Sequence, residues 1–65
     1  MNVAKLRGVI AERGKTQADV AKAIGVTEKT FYLKMKKGDF RICEAAKMID
    51  YLKIENRVDI FLLSS

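Results

Sequence analysis

The stretch from Thr16 to Gly38, TQADVAKAIGVTEKTFYLKMKKG, leaves the chain few ways to fold. Thr16 is placed to cap a helix, and Asp19 follows three residues on. Side-chain oxygens at these positions can accept from the orphan N–H groups of a helix start. Ala18, Val20, Ala21 and Ile24 then recur with helical spacing. Gly25 can take the left-handed conformation that ends a helix at no steric cost. Thr27 can cap a second helix, with Val26 and Phe31 at the two positions of a hydrophobic staple. Lys34, Lys36 and Lys37 crowd the end of that helix, and Gly38 can close it. Cations there suit both the negative end of a helix and a polyanion.

Two short helices around a tight turn form the pattern of a helix-turn-helix, whose second helix enters the DNA major groove. The stretch resembles that of the phage repressor and Cro-like (XRE-type) family. Gln17, Ala21, Gly25, Val26 and Phe31 carry the resemblance. The run TFYLKMKKGDF, followed by an amphipathic segment containing glutamate, is similar to small prophage-encoded regulators of Gram-positive bacteria. The resemblance spans roughly residues 3–54. It implies a lambda repressor-like DNA-binding domain, with the helix-turn-helix over residues 16–38. Two positions depart from the family pattern. Lys34 stands where an aliphatic residue usually anchors the second helix, and Arg41 stands where a threonine or serine usually caps the next one.

Sixty-five residues make one domain with a small core; a chain of this size buries only about 60% of its unfolded surface. Apolar residues make up 49% and charged residues 32%, which fits a soluble globule rather than a disordered tail. No apolar run approaches the roughly 20 residues of a membrane span, and the N-terminus lacks the apolar region of a signal peptide. One cysteine cannot form an internal disulfide, so a reducing, cytoplasmic setting is expected. The net charge of +5 is unevenly spread: +2 over residues 1–14, +4 over residues 15–41 and −1 over residues 42–65. The positive field thus coincides with the central stretch. The plain alternative is a solvated lysine surface.

On either side the sequence predicts more helix. Residues 3–13 carry Val3, Leu6 and Ile10 at helical spacing, with Val9 widening the stripe, Asn2 as cap and Gly14 as stop. Gly8 in the middle reads either as a close helix crossing or as a local weakness of about 1 kcal/mol. Phe40 is expected to plug the core. Residues 42–53 place Ile42, Ala45, Ala46, Ile49 and Leu52 on one face, with Cys43 beside it as a buried, inert thiol. Asn56 and Asp59 mark a last helix over residues 57–63. There Val58 and Phe61 are expected inward, and Ile60, Leu62 and Leu63 are expected at a dimer contact. The fold class read here is all-α: a compact five-helix bundle with residues 42–63 completing the core.

If Phe31 and Met35 face the core, base reading falls to Glu28, Lys29, Tyr32 and Leu33. Lys29 can donate to guanine, Glu28 can accept from cytosine N4, and Leu33 can touch a thymine methyl group. Tyr32 can donate to a phosphate or lie against a sugar. Thr30 lies near the boundary between faces. If Leu33 takes the core position instead of Met35, the face rotates and Tyr32 and Lys36 lose their roles. Phosphate contacts are expected from Lys15, Gln17, Thr27, Lys36, Lys37 and Arg41. Catalysis finds no support. Histidine is absent, no Cys/His metal spacing exists, and the four glycines are separated helix punctuation rather than a phosphate loop. No cofactor, metal or small-molecule ligand is implied.

These readings lead to a sequence-specific double-stranded DNA-binding regulator acting by operator occupancy. It would bind an inverted repeat as a homodimer, because one small domain offers too little contact for tight specific binding. The alternative is a protein-interaction module, antirepressor- or antitoxin-like, using the C-terminal apolar patch. A nonspecific basic DNA-coating protein is a further rival.

Overall fold

A computed structural model describes residues 1–61. Among them are five α-helices: α1 (Val3–Glu12), α2 (Gln17–Ile24), α3 (Glu28–Lys37), α4 (Ile42–Leu52) and α5 (Arg57–Phe61). Leu62 and Leu63, expected at a dimer contact, lie outside the described residues.

Local chemistry sets most of the boundaries. Asn2 Oδ1 accepts from the Lys5 N–H at 3.0 Å and starts α1. At the head of α2, Thr16 Oγ1 accepts from the Asp19 N–H at 3.1 Å. Asp19 Oδ2 returns the bond by accepting from the Thr16 N–H at 2.9 Å. Thr27 Oγ1 accepts from the Thr30 N–H at 3.1 Å and starts α3. Gly25 (φ 82°) and Gly38 (φ 65°) end α2 and α3 in the left-handed region. Arg41 has no side-chain oxygen to offer α4. Half of a capping box stands in its place: Glu44 Oε1 accepts from the Arg41 N–H at 2.9 Å.

The core gathers Leu6 and Ile10 from α1, Val20, Ala21 and Ile24 from α2, and Phe31 and Met35 from α3. Ala45, Met48 and Leu52 come from α4, Ile54 from the link, and Ile60 and Phe61 from α5. α2 packs against both α3 and α4, and α1 against α5. Phe40 is half-buried with its ring 5.5 Å from that of Phe31, so it does plug the core beneath α3. Asn2 N–H donates to the Ile60 carbonyl at 2.6 Å and ties the N-terminus to α5.

Several expectations need correction. The inward face of α4 is Glu44, Ala45, Met48 and Leu52. Ile42 is 79% exposed, and Ala46 and Cys43 are exposed as well, so Cys43 is not a buried thiol. Ile49 is half-buried against the core as expected, and Glu44 lies inside with its carboxylate on Lys34 Nζ and the Arg41 N–H. Ile60 is fully buried and cannot serve a surface dimer contact, whereas Val58, expected inward, is 50% exposed. The bond from Asn2 holds the Ile60 backbone against the start of α1, and Phe61 faces inward as expected. Ala18 is exposed and takes no part in the apolar stripe of α2. A Cβ on Gly8 would meet nothing within 4 Å, so no helix crosses closely there.

Candidate functional site

The outward face of α3 is defined by what α3 must bury. Phe31 and Met35, four residues apart, are both essentially without exposure. Leu33 remains 46% exposed. Met35, not Leu33, is therefore the second anchor, and Tyr32 and Lys36 stay on the outer face. Lys34 is neither anchor nor free cation. Its Nζ lies 3.1 Å from Glu44 Oε1, an oxygen that also holds the Arg41 N–H. Burial alone would raise the Glu44 carboxyl; the bonds from Arg41 and Lys34 outweigh it and hold the group below its ordinary value.

Gln17, at the start of α2, meets Glu28, Lys29 and Tyr32 across an open cleft of about 440 Å³. The fold thus brings three candidate base readers and one candidate phosphate contact to a single surface. Glu28 and Lys29 are exposed, and neither forms an ion pair among the described residues. Leu33, Lys36 and Lys37 are exposed further along α3.

The remaining candidates have other engagements or lie apart. Lys15 Nζ stands 5.4 Å from the centre of the Tyr51 ring, a cation–π contact. Thr27 Oγ1 lies 2.9 Å from Thr30 Oγ1 and accepts from the Thr30 N–H, so this hydroxyl is engaged within the cap. Arg41 is exposed at the head of α4. A second, smaller hollow of about 180 Å³ lies near the other end of α3, lined in part by Met1, Phe40, Ile42 and Phe61.

Two side chains outside this surface, Arg13 and Glu44, tie elements of the fold together. Arg13 Nε donates to the Leu52 carbonyl at 2.8 Å and Arg13 Nη2 to the Lys53 carbonyl at 3.1 Å, so Arg13 caps the end of α4. No local signal marks a contact between residues so far apart in sequence. Glu44 carries no signal of burial in its own segment; it lies inside bonded to Lys34 and to the Arg41 N–H. Among the described residues no group of three or more His, Cys, Asp or Glu is arranged to hold a metal ion. No helix of the described residues is long and apolar enough to cross a membrane. Comparison with protein-family models, curated proteins and solved structures finds no match to this chain.

Proposed function

We propose that this chain is a sequence-specific double-stranded DNA-binding regulator of the repressor and Cro-like kind, acting by occupying an operator. The observation that carries the reading is the division of α3. One side is spent on the core through Phe31 and Met35, and the other leaves Lys29 and Tyr32 beside Gln17, with Leu33 and Lys36 exposed further along the helix. This surface lies in the part of the chain with the +4 charge. In the docking it supports, the first turn of α3 enters the major groove and α2 crosses the backbone, with the Gln17 and Ala18 N–H groups left over by the capping box and the Gln17 side chain meeting phosphate. Lys36 and Lys37 add charge along the phosphate track. The bound protein blocks polymerase or a competing regulator, and no catalytic step is involved.

A dimer on an inverted repeat would set two such helices about 34 Å apart. Ile42 and Val58 are the large aliphatic residues outside α3 left exposed for a contact among the described residues. The rival protein-interaction reading loses Ile60 and Phe61, which are buried.

Selection of bound duplexes from a random pool at near-physiological salt tests the proposal. An enriched inverted repeat with half-sites about one helical turn apart is the expected outcome. A single enriched half-site would keep the reader and remove the dimer. Binding without enrichment that vanishes as salt rises would overturn specific regulation.

A further inference from the structure

We infer that Glu28 is a specificity determinant that works by rejection, restricting the half-site to a base pair that presents the amino edge of cytosine. The inference rests on the DNA-reading proposal above and adds to it what one side chain demands of the operator.

Glu28 sets a carboxylate within the most basic part of the chain. Glu28 is the first residue of α3, is exposed, and lines the cleft with Gln17, Lys29 and Tyr32. The other acids of the basic segment lie elsewhere. Asp19 is held in the capping box with Thr16. Asp39 lies beyond Gly38, beside the hollow at the far end of α3. Glu28 has neither a hydrogen bond nor an ion pair through its carboxylate among the described residues. A surface shaped only for charge attraction has no use for it, because near phosphates it weakens binding to every sequence alike.

The groove chemistry supplies the use. In the major groove guanine offers O6 and N7 and thymine offers O4, all acceptors, which repel a carboxylate. Adenine sets its N6 donor beside the N7 acceptor. Cytosine alone offers an amino donor with no acceptor next to it on the same base. The partner guanine then presents N7 and O6 to a cation, and Lys29 is the adjoining residue on the same cleft. A carboxylate at this position lowers affinity for most sequences and lowers it least for one. Specificity then comes through the repulsive element as much as the attractive one.

An acid in the first turn also favours the helix dipole, which is a stabilising role with no sequence content. The test must therefore read selectivity rather than affinity or stability. The full chain and its Glu28→Gln and Glu28→Ala variants are each taken through selection from a random duplex pool. Each is then titrated against the site enriched by the unsubstituted protein, the same site with its C·G pair inverted, and random DNA. The expected result is a fixed C·G pair in the enriched site. Both variants should bind random DNA more tightly than the parent. Their preference for the original over the inverted pair should fall on the order of tenfold or more, the scale of a good polar base contact. A helix-stabilising role alone would move the unfolding midpoint and leave this preference unchanged. Variants that keep the parent's preference, or an enriched site without a fixed C·G pair, would overturn the role of Glu28 and leave DNA reading intact. A parent protein that enriches no sequence would overturn both.

Discussion

Lys34 Nζ lies 3.1 Å from Glu44 Oε1, and this pair fixes α3 against α4 at the position where an aliphatic anchor was expected. Glu44 is only 7% exposed, and the same oxygen accepts from the Arg41 N–H. A half-buried pair of this kind costs little to replace as a whole and much to break in half. Lys34→Leu alone should destabilise the protein by about 1–3 kcal/mol, below the fully buried range because Lys34 keeps some water contact. Lys34→Leu with Glu44→Gln should recover most of that loss, since Gln still offers Arg41 an acceptor. Urea denaturation of the two singles and the double checks this. A double variant no better than the worse single would deny the coupling.

The same carboxylate gives stability a pH dependence of known sign. Arg41 and Lys34 hold Glu44 below its ordinary 4.5 against the upward push of burial. The Thr16 backbone N–H and hydroxyl lower Asp19. A group depressed in the folded state binds fewer protons there than in the unfolded state. Its stabilisation is complete above the ordinary value and is lost as pH falls through the lowered one. Melting temperature should therefore be flat from neutrality to about pH 5 and decline below it. Glu44→Gln and Asp19→Asn should each lower the plateau and flatten part of the decline. A decline of unchanged steepness in both variants would assign acid sensitivity to other carboxylates.

What was legible in the sequence was local. The caps at Asn2, Thr16 and Thr27 and the stops at Gly25 and Gly38 each depend on residues within a few positions, and all five act as expected. Helical spacing fits Phe31 with Met35 but leaves Leu33 as an alternative second anchor, and burial decides for Met35. Ile42 and Ala46 fit an apolar stripe as well as Met48 does, so the sequence of α4 alone leaves its phase open. Only the distant Lys34 reveals that Glu44 belongs inside. In α5 Phe61 faces inward as expected while Ile60 takes the buried place expected of Val58, and nothing between residues 57 and 61 announces the bond from Asn2 to the Ile60 carbonyl. The cleft of Gln17, Glu28, Lys29 and Tyr32 was legible once Met35 was the anchor, since helix geometry then fixes the outer face.

Arg13 and Lys53 make a linked prediction at the end of α4. Lys53 sits at φ 54°, the single non-glycine residue with positive φ among those described. Arg13 stays on the neighbouring carbonyls of Leu52 and Lys53. A lysine in the left-handed region carries a backbone cost of roughly 1 kcal/mol that glycine does not. Lys53→Gly should therefore raise stability by about 0.5–1 kcal/mol. Arg13→Ala should lower it by about 1–2 kcal/mol, because two carbonyls at a helix end lose a charged donor. Thermal unfolding resolves both. An Arg13→Ala variant of parental stability would mean that water replaces the guanidinium freely.

Gly8 offers a simpler gain. It lies inside α1 on an exposed side, and an added Cβ would meet nothing within 4 Å. Gly8→Ala should stabilise the protein by about 0.8–1 kcal/mol through helix propensity alone. Gly38→Ala is the contrasting case. Its φ of 65° is left-handed, so the same change should destabilise. Should Gly8→Ala be neutral or harmful, α1 would be contributing a surface that needs a bare backbone there, which would reopen the question of a close partner.

The lysines of α3 separate by what holds them, and salt can tell them apart. Lys36 and Lys37 are exposed and form no ion pair among the described residues, whereas Lys34 is bound to Glu44. Each phosphate neutralised adds about −0.9 to the slope of log affinity against log salt. If the proposed function holds, Lys36→Ala and Lys37→Ala should each make the slope shallower by up to about 0.9 and weaken specific and random DNA by similar factors. Lys34→Met should leave the slope near the parental value even though it lowers stability, because that ammonium already has its counter-charge. Lys29→Ala should weaken the preferred site more than random DNA, the mark of base reading. Slopes measured by fluorescence anisotropy between about 50 and 200 mM salt span the useful range. Equal slope changes at 34, 36 and 37 would mean that Lys34 leaves Glu44 on binding, and that the bond between α3 and α4 opens when the groove is engaged.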